Sequence, residues 1–403
     1  MHVNNLNIFK QTVVGIQFLF VAFGATVLMP LLVGLDPATA LFSAGVGTLI
    51  FHAVTKGKVP VFLGSSFAYL APIILATEQW GLQGALSGFA GVASVYFVAS
   101  LIIKFKGTNW LNLLFPPVIV GTVIILIGLS LASSAVDMAK QNWFLAFISL
   151  ATASAVMFFA KGQLRLLPII LAVAVGYIAA LIMGLVDYSA LATAPWFTLP
   201  KNIQHFQLPQ LSWQPFIFMM PIALASIVEH IGDIYVVSEV AGKDFIKNPG
   251  LHRTLLGDGL ACLLGSIISG PPVTTYSEVT GAMQITKMTN PFVLRITAVT
   301  AIVFSMTGKL NAFLTSIPKA VLGGIMLLLF GTIATVGIQS MIKNKVDLSE
   351  SKNIIICAVM LTTGVGGAAL NMGTFSLSGI GLSAIIGIVL NLLLPDKKQS
   401  QKK

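Results

Sequence analysis

The sequence predicts an all-α integral membrane protein of fourteen transmembrane segments, arranged as two inverted repeats of seven. Three observations carry that reading. Hydrophobic residues make up 56% of the 403-residue chain and charged residues only 9%, against about a quarter charged in ordinary soluble domains. Apolar stretches of roughly 17 to 25 residues, long enough to cross a bilayer as helix, recur from end to end. The 23 basic residues divide unevenly between alternate loops, with only Lys140, Lys201, Lys309 and Lys319 on one side.

That split obeys the positive-inside rule if both termini are cytoplasmic, and an even number of spans follows. The net charge of +10 then reads as topology rather than nucleic-acid binding, because the lysines and arginines are scattered through short loops. The expected location is the inner (plasma) membrane, crossed many times.

The segments begin near residues 12, 37, 60, 82, 115, 143, 164, 213, 250, 276, 291, 315, 352 and 375. The first, Thr12 to Gly34, is too long for a signal-peptide core and no small-x-small cleavage site follows it, so it is expected to remain as a span. Trp80, Trp110, Trp143, Trp196 and Trp213 all fall near segment ends, where an amphipathic ring prefers the headgroup layer. Cys262 and Cys357 lie in apolar runs and read as packing residues.

The longest non-apolar stretch, residues 187–214, is expected outside, with Trp196, Phe197, Phe206 and Trp213 on the outer interface. It connects residues 1–186 to residues 215–403 within one membrane domain spanning 1–403. Seven segments per half is an odd number, so a repeated fold requires the second half to be inserted upside down, an architecture common among secondary transporters.

Two internal echoes support the repeat. Pro116, Gly121 and Gly128 resemble Pro318, Gly324 and Gly331, and Gly-Ser-Ser-Phe from Gly64 parallels Val-Thr-Thr-Tyr from Val273. The second echo marks the third and tenth segments as half-helices that begin among Pro, Gly, Ser and Thr and meet at the midplane.

Acids inside the membrane carry the chemistry, since each costs about 2.5 to 3.5 kcal/mol at a helix centre. All of them lie in the second half: Glu229, Asp233 and Glu278, with Glu239 and Asp258 nearer span ends. Glu229 and Asp233 are four apart, which places both on one helix face, and carboxyls so close are expected to share a proton. The alternative is hydrogen bonding to neighbouring helices. His230 faces elsewhere and reads as a packing histidine. Glu278 opens the tenth segment, where it serves either as a first-turn helix cap or as an acceptor that, with free helix N–H groups, matches a planar ligand of alternating C=O and N–H groups.

The run Glu278-Val279-Thr280-Gly281, four residues, then Thr286-Lys287 resembles the signature of the nucleobase/ascorbate transporter (nucleobase:cation symporter-2) family. Phe23 to Leu28, Gly64 to Ala68, Leu114 to Pro117, Glu229 to Gly232, Pro249 to Arg253 and Thr274 to Glu278 are similar to its uracil permease branch. The resemblance implies a core domain of spans 1 to 4 and 8 to 11 and a gate domain of spans 5 to 7 and 12 to 14. It implies that Glu229 and Glu278 hydrogen-bond the base, that N–H groups at Phe67 and Ser277 meet its carbonyls, and that Ala25, Phe67 and Tyr276 pack on the ring.

It also implies proton symport, with Asp233 and Glu229 as the proton site, no cofactor and no metal, and leaves room for a homodimer. Departures from the family pattern are Phe18 after Gln17, Asp233 for a common His, Val273 and Val279 for Asn, and Ser277 for Gly. An acid at the Asp233 position also occurs in purine-transporting relatives, which keeps a xanthine or purine permease as the alternative. Gly257-Asp258-Gly259 faintly resembles the aspartyl intramembrane proteases, a distant rival from another class, and a channel is a third.

Overall fold

The computed structural model describes residues 8–107, 113–204, 210–372 and 375–395, without the side chains of Ala25, Ala71, Gln163, Leu166 and residues 371–378. Expectations that rest on Trp110, Phe206, the lysines from Lys397 onward and the Ala25 side chain lie outside the described residues.

Helix starts follow local chemistry. After α1 (Ile8–Leu32), Asp36 accepts a hydrogen bond from Thr39 N at 3.1 Å and so caps α2 (Pro37–Val54), whose first residue needs no donor partner. The long α3 (Leu70–Lys106) breaks at Gly81, where φ of 70° and ψ of 175° are freely available only to glycine. Pro117 opens α4 (Pro117–Ser130), which is followed by α5 (Ala132–Ala139), α6 (Trp143–Phe159) and α7 (Pro168–Ile182).

The second half supplies α8 (Trp213–Ala241), α9 (Leu251–Ile268), α10 (Ser277–Thr286), α11 (Pro291–Ser305) and α12 (Gly308–Thr315). It ends with α13 (Lys319–Lys343), α14 (Ser351–Val365) and α15 (Gly379–Leu393). Among the described residues, seven helical stretches are long and apolar enough to cross a membrane, and five further apolar helices are shorter.

The all-α expectation needs a correction. Strand β1 (Leu63–Ser65) pairs antiparallel with β2 (Val273–Thr275), Leu63 facing Thr275, and β3 (Ala369–Met372) pairs with β4 (Phe375–Ser378). Strands of three or four residues inside apolar sequence leave no period to read. The segments expected near 60 and 276 are therefore each a strand followed by a helix, and the fourteenth, expected near 375, becomes helical only at Gly379. The twelfth, expected near 315, begins at Lys319 after the separate α12.

In the packing, α3 lies between α8 and α9, α2 between α9 and α11, and α1 against α11 and α2. Elsewhere α13 packs on α4, α5 and α6, α6 on α7, and α14 on α15 and α4. Close backbone approach holds these contacts, as expected where lipid removes the hydrophobic drive between helices. A Cβ on Gly91 would stand 2.2 Å from Phe216 O, and one on Gly324 2.0 Å from Ala146 O.

The connection from α7 to α8 docks on the turn between α11 and α12. Thr198 N donates to Met306 O at 2.9 Å and Gly308 N to Trp196 O at 3.1 Å. Lys309 Nζ donates to Leu191 O and Ala192 O at 2.7 and 2.9 Å.

Candidate substrate site

Antiparallel pairing of β1 with β2 sends the helices that follow them in opposite directions and leaves both helix N-termini beside the strand pair. Backbone bonds lock the crossing: Ser66 N donates to Pro272 O at 3.1 Å and Tyr276 N to Phe62 O at 3.2 Å. Leu63 N is held by Thr48 Oγ1 at 2.9 Å. The one-turn helix Phe67–Tyr69 starts one arm and α10 the other, so the first N–H groups of both, at Phe67 and Ser277, have no acceptor within their own helix. Each end also carries the positive pole of its helix, which is partial for so short a run of peptides.

Tyr276 secures the crossing from inside. Its hydroxyl donates to Ser65 O at 2.8 Å and accepts from Thr26 at 3.2 Å, while its ring lies over Gly64 so closely that a Cβ there would stand 2.3 Å from the ring. Phe67 is half-buried and meets Phe330 of α13 edge-on, ring centroids 6.0 Å apart. Phe330 was not singled out by the sequence, although its neighbour Gly331 belongs to the internal echo.

The acids come from α8 and α10. Glu229 is half-buried, with no hydrogen bond to its carboxyl among the described residues, and Glu278 is exposed in the first turn of α10. The residue before that helix makes no side-chain cap, so Glu278 stands in an uncapped first turn. Nothing lies within 4 Å of a Cβ built on Gly232 or Gly281, each three residues after one of these acids. Asp233 is buried and accepts hydrogen bonds from Thr275 Oγ1 at 2.7 Å and from the Ser277 hydroxyl. Its partners are therefore hydroxyls of β2 and α10.

Asp258 corrects another expectation. It lies well inside α9 and is fully buried, with Oδ2 2.8 Å from His230 Nδ1 and 3.4 Å from the Thr274 hydroxyl that donates to it. His230 is fully buried as a packing histidine should be, and its Nε2 also lies 2.9 Å from Thr254 Oγ1. The chain Thr254, His230, Asp258, Thr274 thus ties α8 and α9 to β2. Sequence alone offered only the two ionisable side chains as a signal. Among the described residues, no group of three or more His, Cys, Asp or Glu is set to hold a metal.

The strand crossing thus gathers two opposed helix ends, the exposed Glu278 and the rings of Phe67 and Tyr276 in one place within an apolar, many-helix chain. Residues 9–373 match the model of the Permease family, and the chain belongs to that family. It is a transporter and not an enzyme.

The chain is 47% identical over 398 residues to a probable uracil permease of Haemophilus influenzae, covering 96% of this chain and 95% of that one. It is 42% identical over 404 residues to a uracil permease of Bacillus subtilis, with 96% and 93% covered. With a uracil permease of Escherichia coli K12 it shares 38% over 395 residues, 95% and 91% of the two chains.

The fold is that of the transmembrane domain of the cyanobacterial bicarbonate transporter BicA, with a TM-score of 0.65 at 15% identity over 97% of this chain and 98% of that one. SLC26A9 matches with a TM-score of 0.69 at 12% identity over 96% of this chain, which spans 65% of that longer protein.

Proposed function

We propose that the chain imports uracil with protons by alternating access. The observation that carries this reading is the exposed carboxyl of Glu278 beside two opposed helix ends, in a chain whose relatives named above are called uracil permeases or a probable one. Uracil alternates N–H and C=O around one planar edge. Helix N–H groups at Phe67 and Ser277 meet its carbonyls, Glu278 and Glu229 accept from its ring N–H groups, and Phe67, Tyr276 and Ala25 flank the ring.

Helices α1, α2, α3, α8, α9, α10 and α11 act as the core that carries the site. Helices α4 to α7 and α13 to α15 act as the gate, and the separate packing of the two sets supports that division. The paired arms and the echoes support fourteen spans in two inverted repeats, residues 1–186 and 215–403. The charge split supports both termini in the cytoplasm and 187–214 outside. Labelling from outside intact cells checks this: an impermeant reagent should reach a single cysteine at position 201 and miss one at 403, and the reverse pattern overturns the topology.

Proton coupling runs through Asp233, with Glu229 one turn away. As a carboxylate, Asp233 occupies the hydroxyls of Thr275 and Ser277. Protonation removes acceptor capacity and frees a hydroxyl beside the base, so proton and base favour each other. One proton moving down about 100 mV and half a pH unit supplies roughly 3 kcal/mol, enough for a gradient near 150-fold.

In proteoliposomes, Asp233→Asn should abolish accumulation of labelled uracil driven by a pH gradient while retaining exchange across the membrane. Wild-type accumulation by that variant overturns the coupling role. Competition by thymine, xanthine and guanine decides the base, and displacement by xanthine in preference to uracil moves the assignment to a purine permease.

A further inference from the structure

A cavity of about 510 Å³ lies away from the substrate site, and its lining comes from α1, the connection before α7 and the C-terminal end of α10. Its wall is apolar: Phe9, Val13, Val14, Ile285 and Met288 line it. Lys10 lines it too, and the chain places Lys161 directly before the lining residue Gly162 and Lys287 directly after Thr286. All three lysines are exposed, and none forms an ion pair among the described residues.

α1 meets the first turn of α7 closely, because a Cβ on Gly24 would stand 2.6 Å from Ile169 Cδ1. The cavity lies between the first turns of α1, the chain that leads into α7 and the last turn of α10.

An apolar wall with unpaired cations at its mouth selects its occupant. A soluble anion makes no use of the wall. A zwitterionic lipid brings its own ammonium to offset its phosphate, whereas a lipid with net negative charge satisfies both the lysines and the wall. We propose that this cavity binds one anionic phospholipid, the headgroup between Lys10, Lys161 and Lys287 and the upper acyl chain against Phe9, Val13 and Ile285.

The test is lipid retention, which does not depend on what the protein transports. Purified full-length protein is exchanged into mixed phosphatidylglycerol and phosphatidylethanolamine, and retained lipid is counted by native mass spectrometry. Wild type should retain phosphatidylglycerol preferentially, and each of Lys10→Gln, Lys161→Gln and Lys287→Gln should weaken that preference by about fivefold, the equivalent of ~1 kcal/mol per basic side chain at an anionic headgroup. The same change at Lys343, Lys345 and Lys352 should leave it intact. Val13→Trp, which fills the wall and keeps every lysine, should also lose the lipid, and thermal unfolding identifies any variant that has not folded. Equal retention of the two lipids by wild type, or equal losses in the two lysine sets, overturns the site.

Discussion

The arm formed by β1 and Phe67 is held by backbone bonds and packing, whereas the arm formed by β2 and α10 is held by hydroxyls on buried acids. In the first, Leu63 N and Ser66 N find Thr48 and Pro272, and no carboxyl is involved. In the second, Thr274 donates to Asp258, and Thr275 and Ser277 donate to Asp233. Both arms present a helix end with free N–H groups. Among the described residues only the second carries groups whose protonation alters its hydrogen bonds, so the two arms share a shape while the titratable chemistry is confined to one of them.

Cutting the second arm at its buried root should cost most. Asp258→Ala removes the carboxyl that faces both His230 and the Thr274 hydroxyl in the interior, and each buried polar group left unsatisfied costs about 1 to 3 kcal/mol. Thermal unfolding in detergent should show that loss, and a variant as stable as wild type would mean the His230 contact is dispensable.

Next in size is the end of the same arm. Glu278→Gln should insert and fold normally yet bind uracil roughly ten- to more than a hundredfold more weakly, for about 1.5 to 3 kcal/mol of lost charged acceptor. Calorimetry on purified protein checks it, and unchanged affinity would reduce Glu278 to a first-turn helix residue.

The smallest effect belongs to the first arm. Gly64→Ala pushes a methyl into the Tyr276 ring, which Ser65 and Thr26 hold in place, and overpacking of this kind costs about 1 to 3 kcal/mol. A lower unfolding temperature is expected. No change would show that the ring can slide, and the contrast between a packed arm and a hydrogen-bonded one would weaken.

Much of this was legible in the sequence because helix starts have local causes. Pro37, Trp143, Trp213 and Pro291 begin helices where segments were expected. A spacing of four placed Glu229 and Asp233 on one face of α8. The partners of Asp233 were not legible, since Thr275 and Ser277 lie 42 and 44 residues away and reach it only through the strand pair. Asp258 was misplaced for a related reason: nothing local to α9 says that His230 of α8 and Thr274 of β2 will meet a carboxyl so deep.

The connection between α7 and α8 and the turn between α11 and α12 are bonded to each other through Thr198, Trp196 and Lys309. Each leads the chain from one packed set of helices to the other, so the two crossings are fastened into a single joint. The chain also passes between the sets from α3 to α4, so this joint ties together two of the three passages, and a shift of either connection drags the other with it.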